Sequence, residues 1–133
     1  MSESGTFATA LNCMDGRVQL PVSEAVRSIF GVSHVDTITE PGMVKYLSDE
    51  TASPETTAAL ASVRISLDQH GSRSIAVAAH HDCAANPCSD LAQQEQLQRA
   101  VAFLKERFPT YDIIGLWIGS DWVARVVVPN SLG

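Results

Sequence analysis

Two short loops concentrate the side chains that could do chemistry. Residues 13–17 read Cys-Met-Asp-Gly-Arg, and residues 80–83 read His-His-Asp-Cys. Cys13, His80 and Cys83 would supply two thiolates and an imidazole, a borderline-soft donor set of the kind that suits zinc. Three protein ligands leave a fourth tetrahedral position, which catalytic zinc sites keep for water or substrate. Bound zinc lowers the pKa of that water from about 15.7 to about 7, so hydroxide becomes available at neutral pH. Asp15 can accept a hydrogen bond from the water and orient it. Arg17 can hold Asp15 through a bidentate pair, which also keeps the carboxylate ionised. Asp15 is near enough to Cys13 in sequence to act instead as a fourth ligand and close the site. Either motif alone is weak, because His-x-x-Cys is common and a cysteine at a strand end is usually a small buried hydrophobe. Their joint force depends on the elements that carry them.

Those elements follow from periodicity and turn chemistry. Residues 6–11 form a short apolar strand leading into Cys13. Residues 21–31 read as a helix with Val22, Val26 and Ile29 on one stripe and Gly31 to end it. Residues 34–39 are β-branched and half polar, a second strand. The Glu40-Pro41-Gly42 break is followed by a helical turn over 43–49. Ser53 caps a helix reaching His70, with Pro54 in its first turn, the stripe Leu60, Val63 and Leu67, and Gly71 as its stop. Residues 74–79 are apolar on both faces, as in a buried parallel strand, and 80–87 are a loop. Ser89 or Asp90 caps a long helix with Leu97, Val101, Leu104 and Phe108 on one side, stopped by Pro109. A buried strand over 111–119, a turn at Gly119, Ser120 and Asp121, and a hairpin partner over 122–128 complete the pattern, with a loose tail over 129–133.

This order predicts one α/β domain over residues 1–133. Its sheet is mainly parallel, with an antiparallel edge added at the end, and is flanked by helices. In such folds the chemistry lies beyond the C-terminal ends of the strands. The loops carrying Cys13 and His80 both leave such ends, and on neighbouring strands they would converge.

Bulk properties narrow the partners. The formal net charge is −6 with no basic run, so neither nucleic acid nor an anionic membrane is an expected partner. The N-terminal stretch has no basic segment followed by a long apolar one, and no apolar run approaches the roughly 18 residues of a membrane span. The expected location is the cytoplasm, where thiols stay reduced, so Cys13, Cys83 and Cys88 are expected to be free, reactive or metal-bound.

Cys-x-Asp-x-Arg followed by His-x-x-Cys resembles the β-class carbonic anhydrases. The resemblance implies that Cys13, His80 and Cys83 bind one zinc ion and that Asp15 and Arg17 form the catalytic dyad. It implies a sheet in the order 2-1-3-4 with an antiparallel edge strand 5, reversible hydration of carbon dioxide to bicarbonate, and a homodimer or higher homo-oligomer. Gly16 stands where the family usually has Ser, and Ala84 and Ala85 where it usually has glycines. The segment Thr39 to Tyr46 occupies the place of the family's Arg-Asn-Ala-Gly. Two other readings use the same residues: hydrolysis of carbonyl sulfide or carbon disulfide, and a zinc-binding module without turnover.

The remaining candidates have ordinary explanations. His81 and Asp82 could relay protons but suit a solvent-facing loop. Cys88 suits a spare thiol, His34 and His70 surface or capping positions, and Trp117 and Trp122 the core or a subunit interface. Glu40 suits a turn.

Overall fold

The computed structural model describes residues 5–49 and 52–130. The chain runs β1 (Phe7–Asn12), α1 (Gln19–Phe30), β2 (His34–Thr39), α2 (Met43–Ser48), α3 (Pro54–Gln69), β3 (Ser74–His80), α4 (Asp90–Arg107), β4 (Asp112–Ile118) and β5 (Ala124–Val128). The sheet order is β2-β1-β3-β4-β5, with every pair parallel except the antiparallel β4 and β5. This is the order that the family resemblance implies.

Local chemistry explains the helix starts. Ser53 Oγ accepts the Thr56 N–H at 3.0 Å, satisfying one of the donors that a helix start leaves unpaired, and Pro54 has no N–H to lose. Ser89, rather than Asp90, caps α4, its Oγ accepting the Ala92 N–H at 3.1 Å. Asp90 in the first turn of α4 and Lys105 and Arg107 in its last turn complement the helix dipole.

The core lies on both faces of the sheet. On one face Leu11, Ile75, Val77 and Ile113 pack against Met43 and Leu47 of α2, Val63 of α3 and Leu97 and Leu104 of α4. On the other, Ala8, Ala10, Ala76 and Ala78 meet Val22 and Val26 of α1. β1 therefore leads into α1 on one face while its neighbour β3 leads into α4 on the opposite face. The crevice beyond their C-terminal ends is the switch point at which such folds place ligands.

Several boundaries differ from the sequence reading, each for a physical reason. β3 extends to His80, which pairs in register with Ile118, so the histidine is the last strand residue rather than part of a loop. Ile29 is 45% exposed and off the α1 stripe. α3 buries Thr56, Ala59, Val63, Ser66 and Leu67, with Leu60 only partly covered. Small polar side chains belong on that face because Ser66 Oγ donates to Asp36 Oδ2 at 2.7 Å and lies 2.6 Å from the Thr9 hydroxyl. Of the 122–128 hairpin partner only Ala124–Val128 is strand, since Trp122 closes the turn with its N–H on the Gly119 carbonyl. In the expected tail, Lys105 Nζ donates to the Pro129 carbonyl and Asn130 Nδ2 to Asp112 Oδ1. Residues 131–133 of that tail, and residues 1–4 of the N-terminal stretch, lie outside the described residues.

Gly115, in the middle of β4, has no room for a side chain. A Cβ there would sit 2.9 Å from Val128 Cγ2 and 3.1 Å from Val101 Cγ2. Gly115→Ala is expected to cost about 1–3 kcal/mol through overpacking, read as a lowered urea midpoint at unchanged slope. An unchanged midpoint would show that β5 yields freely.

Candidate metal centre

Cys13, the first residue after β1, His80, the last of β3, and Cys83, three residues on, are all buried. One ligand atom from each lies within 4.8 Å of the others, and the two sulfurs are 3.9 Å apart. His80 is the informative member. Its Nδ1 lies 2.8 Å from the His81 carbonyl, to which it donates, so the neutral ring presents a bare lone pair at Nε2. That Nε2 is buried with no hydrogen-bond partner. Burial pushes the Cys83 thiol pKa up, and the neighbouring Cys13 pushes it further. A cation among these atoms would satisfy the orphaned nitrogen and offset both penalties on the thiolates. The residues therefore fit a soft divalent metal such as zinc.

Three further groups set this geometry. Gly42, between β2 and α2, donates its N–H to Cys13 Sγ at 3.4 Å. Gly42 has φ +67, and a Cβ there would stand 3.2 Å from the Ala85 carbonyl oxygen, so its loop packs directly on the His-x-x-Cys loop. Gln19, which opens α1, donates from Nε2 to the Cys13 carbonyl at 2.9 Å and to the Asp15 carbonyl at 2.7 Å. Asn12 Nδ2 donates to Gln19 Oε1 at 3.1 Å and to the Cys13 carbonyl at 3.0 Å. These amides hold the Cys13–Asp15 turn against the start of α1. Sequence reasoning passed over Gly42, Gln19 and Asn12. The usable signal was an amide side chain at each end of the Cys-x-Asp-x-Arg loop.

Asp15 and Arg17 form the expected pair. Asp15 Oδ1 accepts the Arg17 backbone N–H at 2.8 Å and Nε–H at 3.1 Å, and Oδ2 accepts from Nη2 at 2.7 Å. These bonds hold the Asp15 carboxyl at about 2, well below the usual carboxylate range, and raise the Arg17 pKa further. Asp15 is turned to Arg17 and is not among the groups that converge at Cys13, His80 and Cys83. Of the two arrangements open from sequence, this is the one with Asp15 away from the ligand cluster.

The other candidates separate cleanly. Asp82 and Trp122 both touch Arg17, so neither is only a solvent-facing or core residue. His81 Nδ1 lies 2.8 Å from Asp90 Oδ1. Cys88 is exposed and outside the cluster. Trp117 is in the core. His70 caps α3 and lies 2.6 Å from Asp36 Oδ2, its ring stacked on Phe7 of β1. His34 tilts against the same Phe7 ring, so both histidines sit at the opposite end of the strands from Cys13. Glu40 follows β2 and donates its N–H to the Asn12 carbonyl. Among the described residues, no helix is long and apolar enough to cross a membrane.

Comparison with known proteins bears on the family and the fold. A family model described as "Putative carbonic anhydrase" matches residues 3–128. The β-carbonic anhydrase isoform I of Trichomonas vaginalis superposes with a TM-score of 0.64 at 14% identity, over 92% of this chain and 82% of that one. A carbonic anhydrase from Glaciozyma antarctica gives 0.62 at 18% identity, over 90% and 81%. One of two tetrameric β-carbonic anhydrases from Sordaria macrospora gives 0.55 at 10% identity, over 93% and 82%. A comparison with curated protein sequences finds no match.

Proposed function

The chain belongs to this carbonic anhydrase family, and from that premise we propose that it binds one zinc ion through Cys13, His80 and Cys83 and reversibly hydrates carbon dioxide to bicarbonate. The observation that carries the reading is the pairing of two features. A buried Cys-His-Cys cluster holds an unpartnered imidazole nitrogen, and next to it stands a carboxylate already committed to a guanidinium. A purely structural zinc has no use for the second feature. Zinc, when bound, supplies Lewis acidity that makes hydroxide available near neutral pH.

The chain's own residues do the rest. Cys13, His80 and Cys83 hold the metal. The His81 carbonyl keeps the His80 proton on Nδ1, so Nε2 stays a ligand. The Gly42 N–H stabilises charge on Cys13 Sγ. Asp15, kept ionised by Arg17, would accept a hydrogen bond from the reacting water and so turn a lone pair of the water oxygen toward the carbon of carbon dioxide. The three thiols suit a reducing compartment, for which we propose the cytoplasm. We also propose a homo-oligomer, by analogy with the tetrameric relatives from Sordaria macrospora.

Stopped-flow hydration by protein of measured zinc content tests the reading. Zinc-loaded protein is expected to hydrate carbon dioxide well above the buffer rate. A buffer-level rate with zinc bound would overturn it, and sulfide release from carbonyl sulfide or carbon disulfide in that case would reassign the substrate.

A further inference from the structure

Arg17 is gripped from three sides. Asp15 takes its Nε and Nη2 edge. The loop after β3 adds the Asp82 carbonyl, 3.0 Å from Nη2, and the Asp82 carboxylate, 3.3 Å from Nη1. The turn between β4 and β5 lays the Trp122 ring against the guanidinium, 4.2 Å from Cζ to the ring centre. The Arg17 side chain is 46% exposed. In that setting an ion pair with Asp15 alone would be weak and free to swing. Contacts along two edges and one face of a planar guanidinium leave it a single pose.

The backbone gives an independent reason to connect these groups. Among the described residues, Asp82 and Trp122 are the non-glycine residues with positive φ, each at 59°. Aspartate tolerates that region moderately well, and a tryptophan there is rare. The two lie on different loops, and both touch Arg17. Strained residues persist where their surroundings over-determine them, and they gather at functional sites. The Trp122 ring also lies 6.3 Å from the rings of both His80 and His81, so the hairpin turn is part of the wall of the centre.

We infer that Asp82 and Trp122 are positioning residues that lock Arg17 in the pose presented to Asp15. The inference deepens the hydration reading and rests on it for its kinetic consequence. The pose itself can be tested without activity.

Nitrogen-15 NMR of the arginine side chains in zinc-loaded, full-length protein reads the pose, with the Arg17 signals identified by their loss in Arg17→Lys. A locked guanidinium shows separate Nη protons, displaced by the indole ring current. Trp122→Ala and Asp82→Ala are expected to merge those signals. They should lower kcat by about tenfold or more, with KM and zinc content unchanged, as a misplaced orienting group does. Trp122→Phe keeps a ring, and Asp82→Asn keeps both an acceptor and tolerance of the left-handed region, so each should restore most of the loss. If an alanine variant does not fold, Trp122→Gly and Asp82→Gly suit the backbone and carry the same expectation. Arg17 Nη signals that stay separate in the Trp122→Ala and Asp82→Ala variants, whatever their shift, would overturn the inference. A parent protein without hydration activity would overturn the proposed function instead, and the NMR result would still decide the pose.

Discussion

Cys13→Ser protein is expected to lose its zinc and to hydrate carbon dioxide no faster than buffer. Removing a supporting group around a metal typically costs about 10–100-fold in affinity. Losing a thiolate ligand should cost more than about a hundredfold, measured by competition with a chelator. Cys13 is the single ligand contributed by the β1 side of the crevice, and the Gly42 N–H that faces it would be left on a weaker acceptor. The fold should survive, because the apolar packing on both sheet faces does not depend on the sulfur. Circular dichroism close to that of the parent, together with metal loss, separates ligation from folding. Retention of one zinc per chain by this variant would remove Cys13 from the site.

The second large effect should come from Asp15→Asn, with the opposite signature. Zinc content should hold, since Asp15 faces Arg17 and lies outside the ligand cluster. Hydration should fall by about a hundredfold or more, the usual scale for losing a positioned acid–base group. The substitution is nearly isosteric, and an amide oxygen can still accept from Arg17. What it removes is the ionised acceptor that Arg17 holds at about 2, and it introduces an amide that can donate in the wrong direction. An unchanged rate would remove Asp15 from the catalytic machinery. Loss of metal would mean that Asp15 ligates after all.

The mainly parallel sheet with its antiparallel edge and the cap at Ser53 were readable in the sequence. Each depends on short-range spacing or on the all-apolar signature of β3. Convergence of Cys13, His80 and Cys83 was readable because both motifs leave strand C-termini, whereas residues whose type gives no sign of a distant partner were not readable. Trp122 reads as core from hydrophobicity, and its contact with Arg17 exists only because the β4–β5 turn folds back over the β1 loop. Gly42 acts through its backbone N–H, which any residue but proline possesses, so its type points only to conformation. Leu60 does pack against the core, but the buried face of α3 also holds Thr56 and Ser66, which are buried by hydrogen bonding rather than by apolarity and so carry no apolar signal.

The pairing of β1 with β3 has a consequence for how the proposed metal would bind. Thr9, Ala10 and Leu11 stand beside Ile75, Ala76 and Val77, and only that pairing brings Cys13 to His80. The intervening chain must first complete two crossovers, one over each face of the sheet. Metal affinity of the native kind therefore belongs to the assembled sheet and not to either loop. By mass action, free zinc at a hundred times its dissociation constant would add about 2.7 kcal/mol to folding. A bound metal would then serve as a clasp across the middle of the sheet, and its supply would help to set how long the chain stays folded.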